Sequence, residues 1–140
     1  LIAYHGQDNF LFTGTIRENL NLGNDAVNDN QMNALISKLN YDFVGRFKNG
    51  LDTILLDNGK QLSGGERQFL CLLRTLLRPS RIVILDEFTN HLSKEVLEPL
   101  LPYINNLSDK LVFVVSHHSD IRWQAEMNVS RSKISIRESF

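Results

Sequence analysis

Two short stretches carry residue types suited to chemistry on a phosphate group, and the first is residues 62–68, which read LSGGERQ. Ser63 is a residue type that caps helices, and Gly64 and Gly65 let a backbone pass close to a ligand. Apolar residues then recur at helical spacing: Phe69, Leu72, Leu73 and Leu76. The free N–H groups and the positive end of that helix would face whatever lies over the glycines, which is the geometry of a phosphate site.

The second stretch is residues 81–87, RIVILDE, in which four apolar residues precede two carboxylates. An unbroken apolar run of this length is typical of a buried parallel strand. Asp86 and Glu87 fall at its carboxyl end, where parallel sheets of α/β proteins collect their ligands. Pro79 lies between the two stretches and ends the preceding helix, because proline cannot continue it. The sequence therefore predicts a phosphate-binding turn, a helix, and then a strand that delivers two carboxylates.

The composition is that of an ordinary globular domain. The chain has 140 residues, of which 42% are hydrophobic and 22% charged, and its formal net charge is −1. One domain is expected, and no electrostatic argument points to nucleic acid or to an anionic membrane surface. Cys71 is the single cysteine, so no intramolecular disulfide can form.

The sequence also contains no apolar run of transmembrane length and no signal peptide, so no direct membrane insertion of this chain is expected. It begins without methionine at Leu1, inside what reads as a strand. That beginning predicts a piece cut from a longer protein.

The two stretches together resemble a known family. Residues 62–68 resemble the signature motif of ATP-binding-cassette ATPases, and residues 82–87 resemble their Walker B strand with its catalytic glutamate. Residues 7–20, QDNFLFTGTIRENL, resemble the Q-loop and following helix of exporter-type cassettes. The resemblance implies an α/β fold: a P-loop NTPase-like parallel sheet, incomplete in this chain, with an inserted helical subdomain.

That fold would divide the chain into three parts. Residues 1–14 would form a core strand and the Q-loop, and residues 15–80 the helical subdomain with the signature motif and its helix. Residues 81–140 would form part of a RecA-like core with Walker B and a switch histidine. The apolar run at residues 111–115 predicts a second fully buried strand, by the same reasoning as for residues 82–85.

Local signals predict the helices between these strands. Thr15 with Glu18 three residues later has the pattern of a capping box. The next helix, which is apolar at helical spacing, would be capped by Asn28 or Asp29. Further helices are expected at residues 41–47 and 94–101.

The resemblance also implies roles in the hydrolysis of ATP with Mg²⁺. Asp86 would hold Mg²⁺, and Gln7 would complete the shell of the metal and the attacking water. Glu87 would orient and deprotonate that water. The cofactor-binding set, placed at the γ-phosphate of a nucleotide held by a second cassette, would be Ser63, Gly64, Gly65 and Glu66.

The strand at residues 111–115 is followed by Ser116, His117 and His118. His117 resembles the family's switch histidine, which would hydrogen-bond the γ-phosphate. A metal site built from His117 and His118 is the competing interpretation. Neighbours on a strand point to opposite faces, which argues against that metal site.

Three departures from the family pattern stand out. Ser93 occupies the place of the aspartate that normally ends the D-loop, and Asp57 stands where a loop of exporter cassettes that contacts the membrane domain usually has glutamate. The phosphate-cradling loop needs Gly, four residues, and then Gly-Lys-Ser/Thr. The one Gly-Lys pair, at Gly59, is followed by glutamine, and Ile54 stands where the first glycine belongs. Without the P-loop strand, which would pair with Walker B, residues 82–85 and 111–115 are expected to leave backbone groups and apolar faces uncovered.

Two classes of function follow. The first is part of the ATPase domain of an exporter, at the cytoplasmic face of the membrane, with a second nucleotide-binding domain and a transmembrane domain as partners. It would energise transmembrane export, and this chain would be inactive alone. The second is a non-catalytic remnant or partner module. A soluble cassette acting on DNA or ribosomes is disfavoured by the near-neutral charge, and no nucleic-acid partner is expected.

Overall fold

The computed structural model describes residues 1–8, 10–24, 26–116, 125–129 and 134–138. Its elements alternate between strands and helices, as expected for an α/β chain. In chain order they are β1 (Ile2–His5), β2 (Gly14–Thr15), α1 (Ile16–Asn21), α2 (Asp29–Lys38), 3-10 turns at Val44–Arg46 and Gly50–Asp52, β3 (Ile54–Leu55), α3 (Gly64–Leu77), β4 (Ile82–Asp86), α4 (Lys94–Asn105), β5 (Leu111–Val115), β6 (Ala125–Val129) and β7 (Ile134–Glu138).

The strands β1, β4 and β5 form a parallel sheet in that order, so the predicted α/β fold with a parallel sheet is confirmed. In register, Ile2 pairs with Ile82, which in turn pairs with Leu111. The carboxylate-bearing strand β4 is therefore central and hydrogen-bonded on both sides. The expectation that residues 82–85 leave backbone groups uncovered is wrong, because β1 and β5 occupy both flanks of β4.

One face of this sheet is buried and the other is open. Strand residues alternate between faces, and Ala3 and Val83 are buried on the face that meets α3. On the opposite face Leu111, Phe113 and Val115 are 57%, 46% and 49% exposed. The prediction of a fully buried strand at residues 111–115 is therefore wrong, whereas the expectation that these residues leave an apolar face uncovered is confirmed. Within the described residues no element covers that face, so alternate residues of β5 meet solvent.

Capping residues set the beginnings of the first helices. Thr15 and Glu18 form the expected capping box at α1. Asn28, rather than Asp29, caps α2, and its side chain accepts a hydrogen bond from the Gln31 N–H. Of the two caps left open by the sequence, the structure therefore selects Asn28.

The predicted helices at residues 41–47 and 94–101 have other bounds in the structure. The first is reduced to the turn Val44–Arg46, because the Asp42 side chain accepts from the Gly45 N–H at 2.8 Å and competes with helical hydrogen bonding. The second continues to Asn105 although it contains two prolines. Its buried stripe of Val96, Leu100 and Ile104 packs on the core, and that packing outweighs the helix-breaking tendency of proline.

The helix α3 is the centre of the hydrophobic core and contacts β1, α1 and α2. It ends at Leu77, with Arg78 as its C-cap just before Pro79, as the sequence predicts. Phe69 is completely buried and meets the rings of Tyr41 and Phe43 edge-on, with centroids 5.2 and 5.8 Å away. The core thus joins the helical part of the chain to the sheet. No helix in the described part of the chain is long and apolar enough to cross a membrane.

Candidate functional site

The turn before α3 is built as a capping box. Ser63 lies in the extended region, its Oγ accepts from the Glu66 N–H at 3.2 Å, and the Glu66 carboxylate accepts from the Ser63 N–H at 2.8 Å. Ser63 and Gly64 are exposed, and the first-turn N–H groups of a helix have no intrahelical partner. The exposed end of α3 therefore presents amide donors and a partial positive charge to solvent.

Glu66 is buried, unlike the exposed Ser63 and Gly64 before it. The carboxylate oxygen that accepts from Ser63 also accepts from Arg46 Nη2 at 2.7 Å. The charge of Glu66 is thus balanced inside the chain. This geometry makes Glu66 a structural cap for α3, which fixes the backbone of Ser63 at the beginning of the helix.

The carboxylates lie at the carboxyl end of β4, as the strand pattern predicts. Gln7, on the loop after β1, donates through Nε2 to Glu87 Oε2 at 3.2 Å. Tyr4 OH donates to Asp86 Oδ2 at 3.1 Å. The structure thus brings together three of the predicted site residues, Gln7, Asp86 and Glu87, across two paired strands. His117, and with it His118, lies outside the described residues.

The loop after β4 rests directly on the beginning of α3. Gln68 Nε2 donates to the Phe88 carbonyl at 2.8 Å in a buried hydrogen bond. The His91 carbonyl lies so close to Gly65 that a Cβ there would be 2.6 Å from its oxygen. We call this contact between residues 65–68 and 88–91 the turn–loop contact. It joins the beginning of α3 to the loop that follows Asp86 and Glu87.

The turn–loop contact predicts opposite effects for two adjacent glycines. Gly65→Ala should lower the free energy of unfolding by about 1–3 kcal/mol, because the new methyl group displaces the His91 backbone. Gly64→Ala is the matched control: nothing lies within 4 Å of its Cβ position, so we expect a gain of about 0.4–1 kcal/mol. Urea unfolding of both variants measures the difference. Equal effects of the two substitutions would contradict the contact.

Burial and nearby charges shift the pKa values of Tyr4 and His5, two residues of β1. The hydrogen bond to Asp86 raises the pKa of the Tyr4 phenol, so Tyr4 remains a donor at neutral pH. His5, a buried residue of β1, has its pKa lowered to about 4 by burial and then by the charge of Arg74. His5 is therefore neutral at physiological pH, and its burial disfavours folding as the pH falls from its usual pKa near 6.5 toward 4.

Sequence reasoning missed two residues of this site. Tyr4 contacts Asp86, and Asn90 Nδ2 donates to Glu87 Oε2 at 2.9 Å. The weak signal for Tyr4 was a side chain with a polar tip on β1, three residues before Gln7. The signal for Asn90 was its position three residues after Glu87, within reach across a tight turn.

The donor set fits a magnesium ion that keeps most of its water. Mg²⁺ takes oxygen ligands and is usually held by one or two carboxylates together with substrate phosphates. Asp86 and Glu87 supply such oxygens, with the side-chain amide of Gln7 beside them. Across the described ranges, no group of three or more His, Cys, Asp or Glu side chains is arranged to hold a metal ion.

Residues 1–90 match the family model described as ABC transporter. The chain belongs to the ABC transporter family. Among solved structures, it resembles a bacterial Atm1-family ABC exporter with ATP bound, with a TM-score of 0.77 and 27% identity over 89% of this chain and 22% of that one. The ABC transporter resemblance noted in the sequence is therefore confirmed.

Several ABC transporter relatives match over most of this chain. ABC transporter B family member 1 of Dictyostelium discoideum is 34% identical over 84% of this chain and 13% of its own length. The beta-(1-->2)glucan export ATP-binding/permease protein NdvA of Brucella melitensis is 32% identical over 99% of this chain and 23% of its own length. The lactococcin-G-processing and transport ATP-binding protein LagD of Lactococcus lactis is 32% identical over 86% of this chain and 17% of its own length. The chain thus spans between 13% and 23% of the length of these curated relatives.

Proposed function

We propose that this chain forms part of the ATPase domain of an exporter and takes part in ATP binding and hydrolysis that energise transmembrane export. The observation that carries the proposal is the group of Gln7, Asp86 and Glu87 at the carboxyl end of β4, with the turn–loop contact joining the loop after it to the glycine-containing beginning of α3. Relatives named as export ATP-binding/permease proteins support the same function. The proposed parts are residues 1–14, 15–80 and 81–140, with the bounds expected from the sequence.

Glu87 is the proposed general base. Its carboxylate lies at the end of the central strand, where it orients a water molecule and accepts the proton of that water, a contribution of typically 10²–10⁴-fold. Gln7 contacts the Glu87 carboxylate at 3.2 Å and orients it and the attacking water. His117 is proposed to hydrogen-bond the γ-phosphate.

Asp86 and Gln7 are the residues that would hold Mg²⁺, with Tyr4 orienting the Asp86 carboxylate. When bound, the ion neutralises developing charge on the phosphate oxygens. Because phosphoryl transfer depends mainly on positioning and charge stabilisation, these side chains need only be oriented correctly.

The glycine turn is proposed to act on a nucleotide held by a second cassette. Ser63, Gly64 and Gly65 offer a hydroxyl, close backbone approach and the positive end of a helix to the γ-phosphate. Glu66 supports this turn through its bonds to Ser63 and Arg46. The proposed partners are therefore a second nucleotide-binding domain and the transmembrane domain of an exporter, at the cytoplasmic face of a membrane.

A non-catalytic partner module is the second candidate function. It is favoured by Ser93 in the place of the D-loop aspartate. Such a module would contribute its glycine turn to a partner's nucleotide and would hydrolyse nothing at its own carboxylates.

A phosphate-release assay tests the glycine turn. We expect negligible ATPase activity from the 140-residue chain alone, and partial activity when it is mixed with a cassette that has an intact P-loop and a damaged signature. The control variant is Gly64→Asp, which adds charge at an exposed position with free space and suits a helix beginning. That variant should fold yet fail to restore hydrolysis, because its carboxylate repels phosphate.

Two results would contradict the proposal that the glycine turn acts on a nucleotide held by a second cassette. In the first, the damaged-signature cassette hydrolyses ATP equally well when it is mixed with the Gly64→Asp variant and when it is mixed with the unchanged chain. The other is activity of the chain alone that disappears with Glu87→Gln, because the chain would then hold phosphates without a P-loop.

A further inference from the structure

Two side-chain amides hold the carboxylate of Glu87 at the same oxygen. Asn90 Nδ2 donates to Oε2 at 2.9 Å, and Gln7 Nε2 donates to Oε2 at 3.2 Å. Both distances suit N–H···O hydrogen bonds, and bonds to an ionised acceptor are stronger than neutral ones. Gln7 comes from the loop after β1, whereas Asn90 comes from the turn after β4. The carboxylate is thus oriented from two directions.

The backbone of this turn places Asn90 beside Glu87. The Glu87 N–H donates to the Val115 carbonyl at 2.8 Å, and the Asn90 N–H donates to the Glu87 carbonyl at 3.1 Å. Glu87 and His91 have φ values of 48° and 65°, a region that residues with side chains seldom adopt. The chain therefore closes tightly on itself and returns the Asn90 side chain to the carboxylate.

We propose that Asn90 is a positioning residue for Glu87: its amide fixes one carboxylate oxygen so that the carboxylate faces the attacking water. This inference rests on the proposed role of Glu87 as general base. A base acts only within hydrogen-bond reach of the proton that it accepts. Misplacement of a reacting group by about 1 Å can lower a rate by about 10²-fold. Asn90 acts through Glu87 and adds a second donor to the one from Gln7.

The alternative role for Asn90 is that of a turn residue alone. Asn and Asp both favour tight turns, because their side chains bond to nearby backbone groups. Asp has the same shape as Asn but supplies no N–H donor. Asn90→Asp therefore keeps the turn preference and removes the amide, which separates the two roles.

A double-mutant cycle on the 140-residue chain tests the contact. The variants are Asn90→Asp, Glu87→Gln and the double variant, followed by urea unfolding near neutral pH. We expect Asn90→Asp to lower the unfolding midpoint, because two carboxylates then face each other. The double variant should recover much of that loss, since the amide at position 87 donates to the carboxylate at position 90. Additive effects would overturn the proposal.

Asn40→Asp is the matched control for this cycle. Asn40 is exposed, also has a left-handed φ of 46°, and lies on the turn after α2. Its effect should add to that of Glu87→Gln without recovery. If Asn40→Asp shows the same recovery, the coupling is not specific to Asn90 and the proposal fails.

A spectroscopic readout keeps the test valid if Asn90→Asp does not fold. In the isotope-labelled chain, Glu87→Gln should shift the side-chain amide resonances of Asn90 and leave those of Asn40 in place. Asn90 resonances that do not move would overturn the contact, whatever the stability of the Asp variant.

The kinetic test uses a chimeric cassette in which these 140 residues replace the corresponding segment of an exporter with a P-loop. There Asn90→Ala, which removes the amide donor, should lower kcat roughly 10-fold or more and leave KM for ATP unchanged. A raised KM with unchanged kcat would overturn the proposal. If Glu87→Gln leaves kcat unchanged in the same chimera, the base assignment has failed, while the unfolding cycle still decides the Asn90 contact.

Discussion

Glu87→Gln in the chimeric cassette is expected to keep ATP binding and to lower ATP turnover by roughly 10²-fold or more. Glutamine has nearly the shape of glutamate, so Gln7 and Asn90 can still surround it, but it cannot accept the proton of the attacking water. The measurement pairs nucleotide binding with steady-state phosphate release. The comparison separates loss of the base from loss of the nucleotide site.

The matched control for that experiment is Glu98→Gln, an exposed glutamate on α4. It removes the same charge away from the carboxylate site and should leave turnover within error of the unchanged chimera. Steady-state hydrolysis that is the same in Glu87→Gln as in Glu98→Gln would show that another group is the base.

Phe69→Ala is expected to have the largest effect on stability. The side chain is completely buried in α3 and meets the rings of Tyr41 and Phe43 edge-on. Removing it leaves a cavity and should cost about 3–5 kcal/mol. Domains are typically stable by only about 5–15 kcal/mol, so most of the stability is lost and the variant unfolds at low urea concentration.

Phe10→Ala is the control for Phe69→Ala. Phe10 is 63% exposed, so the same truncation should change the free energy of unfolding by less than about 0.5 kcal/mol. Urea unfolding followed by circular dichroism measures both. A loss of less than about 1 kcal/mol in Phe69→Ala would mean that the aromatic cluster does not hold α3 in the fold.

Local features of the structure followed directly from the sequence. The capping box at Thr15, the start of α3 after Ser63 and its end at Leu77 all depend on residues within four positions of one another. A single sequence shows such short-range hydrogen bonds, because both partners lie in the same short segment. The same holds for the carboxylates, whose place at the end of β4 follows from the apolar run before them.

Contacts between distant segments did not follow from the sequence. The order of the strands, with β4 in the centre, depends on which strands pair, and an apolar run carries no such information. The hydrogen bond of Tyr4 to Asp86 joins residues 82 positions apart. At residues 41–47 a local interaction was overlooked. Apolar spacing predicted a helix there, but the Asp42 side chain competes with helical hydrogen bonding.

The turn–loop contact has a mechanical consequence. The His91 carbonyl fills the space beside Gly65, and Gln68 is bonded to the Phe88 carbonyl, so neither segment can slide past the other without breaking a buried bond. Protein interiors are packed at nearly crystalline density and transmit small displacements instead of absorbing them. A force that pushes the beginning of α3 by a few tenths of an ångström therefore reaches the loop that carries Glu87. The glycine turn and the loop after Glu87 are therefore expected to move together as one packed unit.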